Sequence, residues 1–364
     1  MRLNLFLFII TLFFIACNQE KSNTNESSLE RSKIYYNQEV NLHNIKQLTN
    51  GGDNAEAYFS FDNNKVVFQS NNEKWGLSCD QIFYFNLSMD NLFVEKPTLI
   101  STGKGRTTCS YFLPGDTSIL YASTHLGSNN CPKTHERKEG DPYAWAIYDD
   151  YDIFISNLNG NIIDTLTDYS GYDAEATVSP KGDKIVFTST RSGDLELFTM
   201  DINGKNITQI TNTLGYDGGA FFSPDGEKII FRASRPNTEE EIKKYKDLLA
   251  KGLVEPTKME LFICNIDGSN LTQITDLGNA NWAPFFHPSG EKVIFSSNHA
   301  SPKGFPFNLY IIDITGKNLQ QITFDDVFDA FPMFSPDGKK LIFSSNRNNG
   351  GGRATNLFIA DWKD

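Results

Sequence analysis

The chain has 364 residues, with 33 Lys and Arg against 45 Asp and Glu, which gives a formal net charge of −12. This acidic balance excludes a general binder of nucleic acid or of anionic membranes, because such proteins present a basic face. Apolar residues make up 39% and aromatic residues 13% of the chain, so it is not disordered, and its 29 Phe and 14 Tyr favour β-structure.

The first 17 residues predict a lipoprotein signal peptide. Arg2 precedes a short apolar run that ends at Phe14, and the following Ile-Ala-Cys17 completes a segment that resembles the bacterial lipobox. The run is too short to span a bilayer comfortably. We expect lipidation of Cys17, the alternative being an ordinary signal peptide with an incidental cysteine. Residues 18–42 begin with a polar stretch and are predicted to form a tether.

Four cysteines remain after Cys17. In an oxidising compartment we expect a disulfide between two of Cys79, Cys109 and Cys131, and the sequence leaves the choice open. Cys264 lies in the apolar strand pattern Leu-Phe-Ile-Cys and is predicted to be a small buried apolar side chain.

A turn motif that recurs six times determines the predicted architecture. It reads Ser-Pro-Asp-Gly at 223–226 and 335–338, with variants at 60–63, 113–116, 179–182 and 287–290. Pro and Gly preset the backbone of a tight β-turn. After each turn comes an apolar strand, whose aromatic residue stands seven positions beyond the Pro position, and then a third strand. Repeats of this kind predict an all-β, six-bladed β-propeller with four-stranded blades.

The fourth strands indicate how the ring closes. Only five of them follow a third strand, whereas the sixth, NIKQLTN at 44–50, precedes the first unit, and the last unit stops after its third strand at Trp362. We therefore predict that the N-terminal strand completes the last blade, which removes the exposed edges of an open array. The propeller is predicted over 43–364, with blades at about 52–102, 103–168, 169–212, 213–276, 277–324 and 325–364 plus 43–50.

Polar residues recur at fixed positions at the mouth opposite the Pro-Gly turns, which we call the top mouth. Seven residues before each Pro position stand Asn54, Thr107, Asp173, Asp217, Asn281 and Asp329. Two residues later stand Glu56, Cys109, Glu175, Gly219, Ala283 and Phe331. Eleven residues after each Pro position stand Asn72, His125, Arg191, Arg235, His299 and Arg347.

These positions predict a ligand-binding site at the top mouth. Its candidate residues are Asn54, Glu56, Asp173, Glu175, Asp217, Asn281, Asp329, His125, Arg191, Arg235, His299 and Arg347. The alternative is that the Asp and Asn side chains only cap the loops that lead into the first strands, by bonding nearby amides.

The insertions fall on the same face as these residues. They span 128–150, 236–258, 300–307 and 348–355, whereas the turns at the opposite mouth stay short. Loop length gathered on one rim is typical of a functional face. The insertion at 236–258 predicts a short amphipathic helix that ends near Gly252. The rings of Tyr143, Trp145 and Tyr148 either bind a sugar or peptide or pack their own loop.

The repeat Ser-Pro-Asp-Gly-x-x-Ile-x-Phe, then Leu-Phe-x-x-Asp, then Gly-x-Asn-x-x-x-Ile-Thr resembles the TolB-type β-propeller repeat over residues 44–362. The same repeat occurs in peptidase propellers and in oligogalacturonate lyase. TolB carries an α/β domain before its propeller, for which 18–43 are too few residues, and TolB is not lipidated. The resemblance therefore implies a distinct TolB-like lipoprotein of the cell envelope, anchored at the periplasmic or surface side of the outer membrane.

Motifs of common catalytic sites are missing from the sequence. It contains no Gly-x-Ser-x-Gly elbow, no His-Glu-x-x-His and no phosphate loop. His287 takes a turn position at the mouth opposite His125 and His299, so the three do not form a metal site. We expect no metal or cofactor, although the acidic mouth is compatible with a bound cation.

The functional expectation is a non-catalytic, monomeric binding module for an envelope protein or peptide, or for a glycan. We expect no nucleic-acid partner, and membrane contact only through the lipid anchor. The alternative is a carbohydrate-active or other hydrolytic or lytic enzyme that uses Asp, Arg and His at the same mouth.

Overall fold

The computed structural model describes residues 34–87, 97–301 and 304–364. The predicted signal peptide, Cys17 and residues 18–33 of the predicted tether lie outside these ranges. Within them, six four-stranded antiparallel sheets follow one another around a ring, which confirms the predicted all-β, six-bladed propeller. In the described part of the chain, every helix is too short or too polar to cross a membrane.

The strands are numbered in chain order. The chain begins with β1 (Leu42–Gln47). Blade one has β2 (Asp53–Phe59), β3 (Lys65–Asn71), β4 (Gln81–Asn86) and β5 (Thr98–Leu99). Blade two has β6 (Thr107–Phe112), β7 (Ser118–Ser123), β9 (Asp152–Asn157) and β10 (Ile162–Thr165), with β8 (Trp145–Ala146) in its insertion. Blade three has β11 (Asp173–Val178), β12 (Lys184–Ser189), β13 (Glu196–Asp201) and β14 (Thr208–Gln209).

The remaining blades follow the same order. Blade four has β15 (Asp217–Phe222), β16 (Lys228–Ala233), β18 (Glu260–Asn265) and β19 (Thr272–Gln273), with α1 (Glu239–Leu249) and β17 (Leu253–Val254) in its insertion. Blade five has β20 (Asn281–Phe286), β21 (Lys292–Ser297), β22 (Asn308–Asp313) and β23 (Gln320–Gln321). Blade six has β24 (Asp329–Phe334), β25 (Lys340–Ser345) and β26 (Asn356–Trp362), and it is completed by β1.

The N-terminal strand closes the ring, as predicted. β1 pairs antiparallel with β26, with Leu42 opposite Trp362 and Gln47 opposite Phe358. The amide of Leu48 extends the pairing by donating to the carbonyl of Leu357 at 2.7 Å. Leu42, Ile45 and Leu48 are buried, so the strand contributes core side chains as well as backbone hydrogen bonds.

Each innermost strand contains a β-bulge, which lies two residues after the position that Asn54 holds in blade one. The residues there have left-handed backbone conformations, with φ between 44° and 58°; they are Glu56, Cys109, Glu175, Gly219, Ala283 and Phe331. A bulge redirects the side chains of its strand, and left-handed residues other than Gly are uncommon. These six residues form what we call the bulge ring.

Aromatic side chains close the channel below the bulge ring. The ring of Tyr58 lies 5.6 Å from those of Tyr111 and Phe221, and the ring of Phe221 lies 5.1 Å from that of Phe285. Tyr58 belongs to blade one and Phe221 to blade four, and these two blades lie opposite each other in the circle of six. Their contact therefore blocks the axis. We call these four residues the aromatic plug.

The two longest insertions meet over the top mouth. The predicted helix is confirmed as α1, whose N-cap Thr238 accepts a hydrogen bond from the amide of Glu241 at 3.2 Å. Beyond the helix, β17 pairs with β8 of the blade-two insertion, with Val254 opposite Trp145. This two-stranded bridge joins the insertions of blades two and four, which are the neighbours of blade three, and it was not predicted from the sequence.

A disulfide holds the beginning of the blade-two insertion. It joins Cys79 of blade one to Cys131, with a Cα–Cα distance of 6.0 Å. Cys109 is a free thiol in the bulge ring, and Cys264 is buried in its strand as expected.

We predict that deleting residues 43–50 lowers the free energy of unfolding by about 5 kcal/mol, because the deletion exposes the edge of β26 and removes the buried apolar side chains of Ile45 and Leu48, worth about 1.5–3 kcal/mol each. Thermal and urea unfolding measure the effect. Val40→Ala, at an exposed residue just before β1, is the control and should change little. An unchanged melting temperature of the deletion variant would contradict the closed ring.

Candidate functional site

A large cavity occupies the top mouth, above the aromatic plug. Its volume is about 1380 Å³, and Tyr58 and Phe221 of the plug form its floor. Aromatic side chains make up much of its wall: Trp145, Tyr172, Tyr216, Trp282, Phe328 and Phe331. Trp145 of the two-stranded bridge packs on Trp282 at 5.2 Å between ring centroids, so the insertions form part of the wall. The cavity is blind, with its opening on the top face.

Below the plug, the channel holds a separate small pit. Its volume is about 200 Å³, and the turn prolines Pro180, Pro224, Pro288 and Pro336 surround it together with Phe side chains. The pit is lined mostly by apolar residues and has no charged residue among them, whereas the cavity above contains charged groups.

Glu175 of the bulge ring is the centre of a hydrogen-bond network in the cavity wall. It accepts hydrogen bonds from the Tyr216 hydroxyl, from the amide of Gly219 at 2.6 Å, from Nη2 of Arg232 at 2.9 Å and from the Thr188 hydroxyl at 3.2 Å. Donors from blades three and four thus surround this carboxylate, as a buried ionised group requires.

Arg232 is the cation of this network. Its guanidinium lies 4.9 Å from the ring centroid of Tyr216 and 5.4 Å from that of Trp145, so it is held by aromatic faces as well as by Glu175. Burial opposes its charge, but Glu175 raises the pKa of Arg232 above its ordinary value. Gly219 makes room for it, because a Cβ at this position would lie 1.8 Å from Nη1 of Arg232.

Glu56 lies in the same cavity with fewer partners. Its Oε2 atom is buried and has no hydrogen-bond partner. Burial raises the pKa of Glu56 to about 7, with further raising by Glu175 and lowering by the Cys109 thiol and by Arg232. The pKa of Cys109 is raised well above its usual range by burial and by Glu56, which keeps the thiol protonated and unreactive.

The predicted Asp and Arg residues pair within their own blades. Asp173 and Asp217 are fully buried and bind Arg191 and Arg235, with an Arg191–Asp173 distance of 2.6 Å. Burial raises the pKa of Asp217 to about 6 although Arg235 lowers it. Each pair joins the start of the innermost strand to the end of the second strand. These side chains lie between strands and do not line the cavity.

The Asn and His candidates occupy the equivalent places. Asn54 donates to the carbonyl of Thr355 at 2.9 Å, and Asn281 donates to that of Met259 at 2.8 Å, so both act as loop caps. The imidazole rings of His125 and His299 contact the hydroxyls of Ser123 and Ser297, within 2.9 Å, and burial lowers the pKa of both histidines. Of the twelve candidates, all within the described ranges, Glu56 and Glu175 line the cavity.

Arg347 is covered by the segment that precedes β1. It is completely buried, donates to Glu39 at 2.9 and 3.0 Å and to the carbonyl of Ile34 at 3.1 Å, and lies 5.2 Å from the ring of Tyr36. The residues at the end of the predicted tether are therefore bound to the top face of blade six.

Two further carboxyl groups complete the surroundings of Arg347. Asp325 and Asp329 each lie 2.8 Å from its Nη2 atom. Together with Glu39 they form a group of three buried acids, the one such group in the described residues whose spacing could suit a metal ion. The guanidinium contacts all three and balances one of their charges. Burial and the neighbouring Asp329 raise the pKa of Asp325 to about 9, so its protonated form prevails at neutral pH.

Sequence reasoning missed several residues of the cavity wall. Arg232 is the main one, and a signal for it exists: at the fifth position of the second strand the six blades have Gln69, Ala122, Thr188, Arg232, Ser296 and Ser344. Blade four alone has an Arg at this position, and it alone has a Gly in the bulge ring. The two residues together distinguish this blade from the other five. Trp282 has no comparable signal, because an aromatic residue in an apolar strand is normally part of the core.

We predict that Asp217→Asn lowers the free energy of unfolding by about 2 kcal/mol, because the change leaves Arg235 partly buried without its counter-charge. Urea denaturation measures it. The matched control is Asp225→Asn in a turn at the opposite mouth. Asp225 accepts hydrogen bonds from the Ser223 hydroxyl and the Glu227 amide, and removing its charge should lower the free energy of unfolding by about 1 kcal/mol or less. Equal effects of both changes would contradict a structural role for the Asp217–Arg235 pair.

Comparison with known proteins places the chain in a family. It matches the family model of the TolB beta propeller domain over residues 138–246 and 248–355. A comparison with curated proteins found no match. Similar solved structures include a putative TolB from Agrobacterium tumefaciens, with 19% identity, a TM-score of 0.55 and coverage of 86% of this chain and 91% of that chain.

TolB from Acinetobacter baumannii has 18% identity and a TM-score of 0.49, with coverage of 86% of this chain and 64% of that chain. An oligogalacturonate lyase in complex with manganese has 11% identity and a TM-score of 0.50, with coverage of 88% and 93%. At these identities, the Agrobacterium tumefaciens protein and the oligogalacturonate lyase are evidence for the fold alone. The family model covers more than half of the chain, and the chain therefore belongs to the TolB β-propeller domain family.

Proposed function

We propose that the chain is a non-catalytic binding module of the bacterial envelope that takes part of a protein, a peptide or another ligand into its blind cavity. The observation that carries this proposal is the cavity itself, with a volume of about 1380 Å³ and walls built from aromatic rings and a few charged groups. Apolar, concave sites with few polar groups are typical of ligand binding, and commonly measure about 300–1,000 Å³. The larger volume here suits a segment of a larger molecule.

The insertions also support a binding site at the top mouth. The two-stranded bridge and the disulfide both hold the blade-two insertion in place, so the wall that it forms is ordered before any ligand arrives. Preorganised walls reduce the entropy lost on binding.

A second candidate function is catalysis on a carbohydrate. The observation in its favour is Glu56, whose pKa of about 7 is that of a general acid, in a cavity with aromatic walls suited to sugar rings. Against it, the carboxylates of the cavity wall other than Glu56 and the exposed rim residue Asp326 are already engaged, Glu175 by several donors and Asp80 by Arg106. Two free carboxyl groups are the usual requirement for glycoside hydrolysis.

Filling the cavity tests the binding proposal. Ala283 belongs to the bulge ring and lines the cavity, so Ala283→Trp should reduce the affinity of any cavity ligand by at least about tenfold through steric exclusion. The measurement is titration of a panel of short peptides and oligosaccharides against the wild type and the variant. Ala250→Trp, at an exposed position after α1, is the control and should leave binding unchanged.

Binding that survives Ala283→Trp, or a panel without any binder, would contradict the proposal. Cleavage of an oligosaccharide from the panel would favour the enzyme instead.

The envelope location is proposed from the lipobox-like segment at Cys17. Cys17→Ala should abolish incorporation of labelled palmitate and release the protein from the membrane fraction, because alanine has no sulfur to which the lipid can be attached. Ser22→Ala, in the predicted tether, is the control and should label normally. A wild-type protein that takes no label would contradict lipidation.

A further inference from the structure

Two blades of the propeller carry a glutamate at the same position of the bulge ring. Glu56 in blade one and Glu175 in blade three both have left-handed backbone conformations, with φ of 52° and 58°. Both line the cavity directly above the aromatic plug. The repeat therefore offers an internal comparison between two carboxyl groups in equivalent backbone surroundings.

The next blade along the ring supplies a cation to Glu175 but not to Glu56. Blade four provides Arg232, whose Nη2 lies 2.9 Å from the carboxylate of Glu175, and Gly219, which leaves space for it. At the equivalent positions, blade two has Ala122 and Cys109. Glu56 thus has the neutral thiol of Cys109 beside it, and the blade-two residue equivalent to Arg232 is an alanine.

In blade one, Gln69 and not Glu56 accepts the hydrogen bond that corresponds to the one Glu175 accepts in blade three. Glu175 accepts a hydrogen bond from the amide of Gly219 in the next blade. The equivalent amide, that of Cys109, donates instead to Oε1 of Gln69 at 3.3 Å. Glu56 is therefore not needed to satisfy the backbone of blade two, and its Oε2 atom remains buried without a partner.

The other charged groups around Glu56 are engaged or neutral. Arg232 is bound by Glu175, and Asp80 is bound by Arg106 at 2.8 Å. The pKa values of Tyr58 and Cys109 are raised well above their usual ranges, chiefly by burial, so both stay neutral. Asp80, whose pKa is raised by burial, is a further acid that interacts with Glu56.

We infer that Glu56 is the binding group for a protonated amine of the ligand, whose apolar stem lies along the aromatic wall of the cavity. The inference rests on the proposed binding function and names the chemical class of the ligand: an organic ammonium ion. The carboxylate would form a charge-assisted hydrogen bond, and the aromatic faces suit a cation, as they do for Arg232.

An ammonium ion fits Glu56 better than a metal ion does. Among the described residues, Glu56 belongs to no group of three potential metal ligands within 4.8 Å of one another. Calcium takes six to eight oxygen ligands and magnesium needs octahedral geometry, whereas one carboxylate is sufficient for an ammonium donor.

The test is isothermal titration of the full chain with n-hexylammonium chloride. Glu56→Gln keeps the shape of the side chain and removes its charge, and should weaken n-hexylammonium binding by about 10- to 100-fold. The matched control is Asp326→Asn, at an exposed carboxyl group on the rim of the same cavity, which should change the affinity by less than about twofold. The neutral probe n-hexanol should bind the wild type and Glu56→Gln equally, and calcium chloride should not compete with n-hexylammonium.

The pH dependence gives a second, independent result. Glu56 has a pKa of about 7 without ligand, so its ionised fraction rises from about one tenth at pH 6 to about nine tenths at pH 8. The affinity for n-hexylammonium, which stays protonated throughout, should increase roughly tenfold over this range in the wild type and stay constant in Glu56→Gln.

Equal affinities in the wild type and Glu56→Gln, a flat pH profile, or no binding of n-hexylammonium to the wild type would overturn the inference. The variant Ala283→Trp separates this failure from a failure of the proposed function. If it abolishes binding of the peptide and sugar panel while Glu56→Gln has no effect on n-hexylammonium, the cavity binds its ligand without an ammonium contact, and the proposed function stands. If the panel binds equally well to Ala283→Trp, the proposed function fails as well.

Discussion

The antiparallel pairing of β1 with β26 is the constraint on which the rest of the structure depends. It fixes the first and last blades to each other, and through them the spacing of all six innermost strands. The cavity exists only because these strands stand in a ring of fixed radius, so that one side chain from each blade reaches the axis. An open array would leave the bulge-ring residues on a curved surface, where they would face solvent and not one another.

Within this ring, a uniform backbone carries a non-uniform set of side chains. The same bulge occurs in every blade, yet the bulge ring is polar in blades one to three and consists of Gly, Ala and Phe in blades four to six. The Glu175–Arg232 pair illustrates why this asymmetry is informative. Desolvating two charges is costly, and apolar residues of the same volume would often stabilise a protein as well or better. The buried Glu175–Arg232 pair is therefore weak evidence of a contribution to stability.

The fold was predictable from the sequence because its signals are local. The Pro-Asp-Gly turns and the alternating strands lie within a few residues of each other, and counting fourth strands was enough to predict the closure at 44–50. For the site, the spacing identified the face that holds the cavity and two residues of the cavity wall, Glu56 and Glu175. The spacing identified Asp173 and Arg191 as equivalent to other pairs, but whether they point to the channel or to each other depends on how the bulge turns the strand.

In contrast to the closure of the ring, the contacts of segments outside the repeat could not be predicted. Arg347 is buried by Glu39, 308 residues earlier in the chain, and nothing in either local sequence indicates their meeting. The bridge of β8 and β17 consists of strands of two residues each, which are too short to show a pattern. Likewise, the choice of Cys131 as the partner of Cys79 depends on where the blade-two insertion folds back over the ring.

The aromatic plug has a kinetic consequence. Because Tyr58 and Phe221 meet across the axis, a molecule in the cavity has one route in and must leave by the same route. Any change that narrows the opening would then slow association and dissociation together, and would alter residence time with little effect on the equilibrium constant. The blocked axis also separates the two faces of the propeller, so the proline-lined pit cannot be reached from the cavity.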